Sequence, residues 1–490
     1  MSANLAPEAG MDSTTSELPT LKGERIWGFW SFTSVNVGLA IATWAFLGGG
    51  TIALFVGAQT AIAATVIGNL IGVILVAVTT CLPSAKYGLE QYTALRSVFG
   101  LVGVRILVLV LFTLAAAGWN GILAIMFGRA TANIVNGTTG AEHPDNGVLV
   151  IGAAILAIVV SWILLVKGPV SIGWVNKIVA PGLAIMTVAM LVVLLTNNSW
   201  ADLMAAEPLM PFESADVNWV IAIELGLGLG FSWWTIVGNL ARITKTQRAA
   251  FWPNLIGLFL ASCVAGVVGT LAALTLGDSD PTTWMIPLGG VVLGVLGLVF
   301  VGFANLTSMV AQTYSGSLAI RRALGSAGRK VSWPVLTAAL FAPALLVVFF
   351  PNVLYDNFFI FVAYVALVMS SLCAVYFTDY YLLRRRTLHL RDMYEPEGVS
   401  RYSFWGGVNP SAYLAVLAGA VTYYLLLDPY TLVSAPLFQF TTASLPAFVV
   451  TGAVHYALTK LWIIPAGKGG YTDKATGAGA ATAGRSTRVR

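Results

Sequence analysis

Charge is what this chain has least of: Asp, Glu, Lys and Arg make up 10% of its 490 residues, against 58% hydrophobic, and the mean hydropathy is +0.83. So few charges cannot cover a folded surface in water, which excludes a soluble globular protein and leaves a polytopic membrane protein. Histidine and cysteine are equally scarce, with three of each. His143, His389 and His455 are isolated, so no acid–base or metal-binding constellation forms and an enzyme is not indicated. Cys81, Cys263 and Cys373 lie far apart in or beside apolar runs and read as small hydrophobes rather than a disulfide frame or a metal site. Residues 1–26 lack an apolar core followed by a cleavage site, so no removable signal peptide is expected. The net charge of +5 is a topology signal and not evidence for a nucleic-acid partner.

What is abundant is the apolar run of about 20 residues, the length that crosses a bilayer. Such runs begin near Trp30, Ala61, Leu101, Val148, Val175, Val217, Leu255, Pro287, Pro334, Phe358, Ala412 and Ser444, which predicts an all-α protein of twelve spans. With the amino terminus inside, the inner loops and span ends carry Lys86, Arg96, Arg105, Arg242, Arg321, Arg322 and Arg384 among others. The outer loops then offer only Arg129, beside acids such as Asp145, Asp280 and Asp356. The excess of basic residues on one side places both termini in the cytoplasm of a cell-membrane protein. The expected organisation is a tail at 1–26, a transporter domain at 27–465, and a disordered Gly-, Ala- and Thr-rich tail at 466–490.

The sixth run contains Leu225-Gly226-Leu227-Gly228-Leu229-Gly230-Phe231-Ser232-Trp233-Trp234. Each glycine weakens a helix by about 1 kcal/mol relative to alanine, so this span is expected to break here, beside aromatic rings and a hydroxyl. The first run is interrupted in a comparable way at Gly38 and at Gly48, Gly49 and Gly50. Interrupted spans at matching places in two halves point to the binding site of a secondary transporter, and the first and sixth spans suit a five-plus-five inverted repeat.

In the eighth run Ala304, Thr307 and Ser308 share one helical face, which brings a carbonyl and two hydroxyls together. Neutral oxygens suit a monovalent cation that must bind and leave, with carbonyls near Gly38 and Ile41 as further ligands. The same hydroxyls can instead bond back to carbonyls one turn earlier. In the third run, Trp119 and Asn120 pair a stacking ring with a carboxamide, a combination that fits a flat polar molecule. Glu224, inside the sixth run, is a candidate proton carrier or polar partner because an intramembrane carboxylate is costly.

The run Asp379-Tyr380-Tyr381-Leu382-Leu383-Arg384-Arg385-Arg386, followed by Leu390, Tyr394, Tyr402, Gly407, Val408 and Asn409, resembles the junction of the tenth and eleventh spans in nucleobase:cation symporter family 1. That family comprises the purine, cytosine, allantoin and hydantoin permeases. The resemblance implies a leucine-transporter-like fold, two inverted halves of five spans plus two peripheral helices. It implies a sodium site at the Gly38, Ile41 and Ala304 carbonyls and the Thr307 and Ser308 hydroxyls. It further implies a substrate site at Ala42, Thr43, Trp119, Asn120, Gly230, Phe231, Ser232, Trp233, Gln312 and Thr313. Relatives commonly carry an aromatic at Gly230 and a polar or aromatic side chain at Ala42, which moves the stacking platform here to Phe231 or Trp233. The implied function is sodium symport of a planar nitrogen heterocycle by a monomer in the lipid bilayer, without a cofactor. Proton coupling through Glu224, and amino-acid or amine transport on the same fold, are the alternatives.

Overall fold

The computed structural model describes residues 18–167 and 170–472, and among them all regular structure is helical. A helix stands at each of the twelve apolar runs. The first span is the pair Phe29–Ala40 and Thr43–Ile52, bent by 56°. The second to sixth are Ala58–Tyr87, Leu101–Thr139, Val148–Val166, Val170–Asn197 and Ala215–Phe231. The seventh to tenth are Gln247–Leu276, Pro281–Leu324, Trp333–Val347 and Phe358–Leu383. Pro410–Leu426 is the eleventh, and Ser444–Leu458, prolonged by Thr459–Ile463, is the twelfth. Among the described residues, up to nine of these, counting the bent pair as one, are long and apolar enough to cross a membrane.

Two spans start ahead of their apolar runs because polar caps precede them. Thr246 Oγ1 accepts from the Ala249 amide (3.0 Å), which begins the seventh at Gln247. Asp280 accepts from the Thr282 amide (2.8 Å), which begins the eighth at Pro281; a positive φ of 68° at Gly290 then folds this short front helix away from the span proper.

The packing is reciprocal between two halves. The first span packs on the seventh and the sixth on the second; the first packs on the fifth and the sixth on the tenth; the third and eighth pack on each other. Each contact maps onto another when spans 1–5 are exchanged for spans 6–10. The second and seventh spans each contain a widened helical turn, Ala77–Cys81 late in the one and Asn254–Ala261 early in the other. The three cysteines are buried and free, as read from the sequence.

The glycines of the sixth span do not break it. The helix runs unbroken through Gly226, Gly228 and Gly230 to Phe231, and regular α-geometry ends only at the tight turn Ser232–Thr235. These glycines permit close approach instead: a Cβ on Gly230 would meet Asn69 O and the Gly72 Cα at 2.9 Å, and one on Gly226 would lie 3.0 Å from Ala64 O and 3.2 Å from the Gly68 Cα. Gly68 and Gly72 of the second span face Gly226 and Gly230, a seam of small residues of the kind that lets membrane helices pack backbone to backbone. Gly49 likewise abuts the Gly266 backbone of the seventh span. Gly230→Ala is therefore expected to lose about 1–3 kcal/mol through overpacking, measurable as a fall in the unfolding temperature of the purified protein. An unchanged temperature would mean that the seam is loose.

At the end of the molecule where the described residues begin and finish, at Leu18 and Thr472, the chain is tied down beyond the expected domain boundaries. The Thr20 amide donates to Gly88 O (2.8 Å) and Arg25 Nη1 to Ala85 O (2.7 Å). Asp379 pairs with Arg384 (2.7 Å), and Tyr471 donates its hydroxyl to Asp379 (2.6 Å) beneath the Arg384 guanidinium. Packed structure thus continues past 465 to Tyr471, because a buried ion pair recruits the aromatic hydroxyl. The rest of the tail expected at 466–490, and residues 1–17, lie outside the described residues.

Candidate functional site

The first span unwinds at Ile41 and Ala42, whose backbone angles are not helical (φ −88°, ψ 70° and φ −116°, ψ 172°). An α-helix leaves its last four carbonyls and first four amides without internal partners, so the break exposes acceptors before it and donors after it. The eighth span supplies the complement. Asn305 Oδ1 accepts from the Thr43 amide (3.3 Å), and Asn305 Nδ2 donates to the Thr43 hydroxyl (2.9 Å). Ser308 Oγ reaches the Leu39 carbonyl (3.5 Å), which also accepts from Trp44 Nε1 (3.3 Å). Thr307 bonds back to Ala304 O (3.0 Å). The structure thus ties Ser308 to the break at Leu39, leaves Thr307 bonded back to Ala304 within its own helix, and adds Asn305, which the same-face reasoning passed over.

One helical turn further along the eighth span, a second polar group assembles. Asn120 Nδ2 donates to Thr313 Oγ1 (2.9 Å), while Gln312 Oε1 accepts from Thr235 (3.1 Å) in the turn that ends the sixth span. Trp44 lies edge-on to both Trp119 (6.2 Å between ring centroids) and Trp233 (5.3 Å). Trp119 also meets Phe361 edge-on (5.1 Å). Three polar atoms in this cluster are buried without a protein partner: Asn120 Oδ1, Gln312 Nε2 and Trp233 Nε1, one acceptor and two donors.

Several predicted residues fall elsewhere. Gly230 faces the second span, for the packing reason given above, and the fully buried Phe231 belongs to the apolar core. Ala42, also fully buried, offers only its backbone, and Ser232 bonds back to Leu229 O (2.6 Å). Glu224 is turned toward the peripheral helices: its carboxylate accepts from the amides of Ala443 (2.9 Å) and Ser444 (3.1 Å) and from the Ser444 hydroxyl, so it caps the start of the twelfth span. Trp44 was missed, although its place immediately after Ala42 and Thr43 was a usable signal.

A vestibule of about 590 Å³ opens on the face away from the termini, bounded by Leu47, Phe55, Phe212, Phe358 and Phe359. Phe358 packs edge-on against Trp119 (6.2 Å), so the aromatic cluster forms the layer beneath its floor. On one wall Arg129 pairs with Asp280 (3.0 Å) and Asp356 (3.1 Å) and lies 4.1 Å from the centre of the Tyr355 ring. Burial raises the Asp280 carboxyl above the ordinary carboxylate range, opposed by Arg129 and by the Tyr355 hydroxyl. At the opposite end the segment ahead of the first span is held to the one after the sixth: the Trp27 amide donates to Ile243 O (3.1 Å) and the Lys245 amide to Trp27 O (2.8 Å).

Residues 19–450 match the family described as permeases for cytosine/purines, uracil, thiamine and allantoin. The chain belongs to that family. This permease is similar to the hydantoin permease of Microbacterium maritypicum, 25% identical over 424 residues with 84% of each chain covered. It is likewise 25% identical over 448 residues to the cytosine permease of Escherichia coli K12, covering 85% of this chain and 95% of that one. Among solved structures, Mhp1, a nucleobase-cation-symport-1 family transporter in a closed conformation with bromovinylhydantoin bound, matches with a TM-score of 0.75 at 19% identity over 91% of this chain and 94% of that one. The permease has the leucine-transporter-like fold, with reciprocal halves and two peripheral helices. Its relatives are permeases, and it is a transporter rather than an enzyme.

Proposed function

We propose that this permease imports a planar nitrogen heterocycle, held between the first, third, sixth and eighth spans, together with a sodium ion. The observation that carries the reading is the set of buried unpartnered atoms Asn120 Oδ1, Gln312 Nε2 and Trp233 Nε1 beside three indole rings. A buried polar atom without a partner costs about 1–3 kcal/mol, and a ring edge carrying both N–H and C=O groups satisfies one acceptor and two donors together. The indoles add stacking surfaces. An amino acid or amine would need its charge matched, whereas the side chains gathered here are neutral.

The basic residues at the terminal end support a cytoplasmic location for both termini, which makes the vestibule an outward-facing entrance. Sodium would lie where the end of the first half-helix presents its carbonyls, and its negative dipole end, to the hydroxyls of the eighth span. Glu224 gives little support to proton coupling, since its carboxylate is committed to the amides of Ala443 and Ser444 at the start of the twelfth span.

The test is a thermal-unfolding screen of the purified protein against nucleobases, hydantoins, allantoin and vitamin rings, with sodium and with choline. A heterocycle that stabilises the protein more in sodium supports the reading. Asn120→Ala should then weaken that ligand by about five- to 150-fold, the equivalent of one unpaired buried group. Equal binding by Asn120→Ala and wild type would move the site elsewhere.

A further inference from the structure

Between the third and eighth spans, near Leu101 and Arg322, lies a recess lined by none of the candidate site residues. Its walls are Val104, Val108, Ala319 and Ala323, and three guanidinium groups, of Arg96, Arg105 and Arg322, meet at it. Arg96 is only 2% exposed, yet its Nε and Nη2 make no hydrogen bond within the protein. Its remaining nitrogen, Nη1, donates to Met393 O (2.9 Å), and its nearest carboxylate is Glu397 at 4.0 Å. Arg322 uses Nη2 on the same Met393 carbonyl (2.7 Å) and lies 4.6 Å from the centre of the Tyr394 ring. Arg105 Nε is also buried without a partner. Burial and the neighbouring guanidinium groups push Arg96 down to about 10, despite the pull of Glu397 and Asp392.

Buried cations are normally paired, and several like charges around one recess with orphaned donors call for an anion. The surroundings indicate its source. Ile106, Leu109 and Val110, next to the recess on the third span, are 49%, 43% and 56% exposed, as is expected of a surface turned to lipid. The free space is about 10 Å³, room for one oxygen atom rather than a whole headgroup. We propose that this recess seats a phosphate oxygen of an anionic phospholipid, whose acyl chains lie along the exposed apolar side of the third span. The shared chemistry is a phosphate anion, and the lipid is favoured over a free ion because apolar walls and an apolar exterior adjoin the arginines. Since the eighth span also carries Asn305, Thr307, Ser308 and Gln312, the lipid would brace the helix that holds the candidate site.

The experiment is native mass spectrometry of the delipidated full chain titrated with phosphatidylglycerol or with phosphatidylcholine. Wild type is expected to retain phosphatidylglycerol at least about tenfold more tightly than phosphatidylcholine. Arg105→Gln combined with Arg322→Gln should weaken phosphatidylglycerol retention by about thirtyfold, for two interfacial charges, and leave phosphatidylcholine unchanged. Arg105→Lys should retain most of the binding, and Lys245→Gln, an exposed basic residue at the same end, all of it. Circular dichroism and a monodisperse elution profile establish that the variants are folded. Equal retention of the two lipids by wild type, or of phosphatidylglycerol by wild type and the double variant, would overturn the proposal. Inorganic phosphate at millimolar concentration that displaces phosphatidylglycerol and stabilises the protein equally well would overturn the lipid as the source.

Discussion

Arg129→Met is expected to destabilise the protein by about 3–5 kcal/mol, the usual consequence of removing one partner from a buried ion pair. The guanidinium joins the third span to Asp280 at the head of the eighth and to Asn352, Tyr355 and Asp356 ahead of the tenth. Without it the Asp280 carboxylate stays buried with no counter-ion. The effect depends on pH in a defined direction. In the variant the folded-state pKa of Asp280 rises still further above its ordinary value of 3.8, so the folded protein binds a proton more tightly than the unfolded chain does. Stability is then fullest below that ordinary value and is lost as pH rises through the folded-state value. Thermal unfolding should show a larger gap between variant and wild type at pH 8 than at pH 5, and a gap that does not vary with pH would contradict this account.

The second large effect is expected at the eighth-span hydroxyls. Replacing Thr307 and Ser308 together by alanine removes both side-chain oxygens opposite the break and leaves the backbone intact. If a sodium ion bridges the first and eighth spans, it raises heterocycle affinity, and the heterocycle raises sodium affinity by the same factor. Such couplings amount to about five- to 150-fold, and the double variant should reduce the ratio of ligand affinities in sodium and choline to one. Isothermal titration in both salts reads this directly. A ratio that stays high in the variant would place the ion elsewhere, and a ratio of one in the wild type would point to a different coupling ion. Asn305→Ala is a separate change, because it disturbs the pinning of the break as well as the ion.

Much of the architecture was legible because bilayer thickness forces a simple code, an apolar run for each span and basic residues at one end of them. Helical spacing put Ala304, Thr307 and Ser308 on one face; of these Ser308 reaches the first-span break, while Thr307 makes the back-bond to Ala304 that was the alternative. Helix propensity misled at the sixth span. Gly226 and Gly230 lower intrinsic helicity, but in an apolar medium every backbone group seeks an internal bond and small residues serve helix contact, so tertiary packing overrides propensity. Asn305 and Trp44 were hidden for another reason: each acts across a break whose position, at Ile41 and Ala42, carries no glycine. Glu224 was singled out correctly as unusual. Its role was not legible, since nothing local indicates that its carboxylate meets the amides of Ala443 and Ser444, more than two hundred residues away.

The glycine seam between the second and sixth spans bears on how genetic screens of this permease are interpreted. Every base change that alters a glycine codon to another amino acid introduces a Cβ, so random mutagenesis will keep returning loss-of-uptake alleles at Gly68, Gly72, Gly226 and Gly230. In a linear map the last two stand within a few codons of Trp233 and will pass for pocket positions. They will differ from true pocket alleles in lowering the amount of protein in the membrane for every ligand alike, so scoring expression alongside uptake separates the two groups before any specificity is assigned.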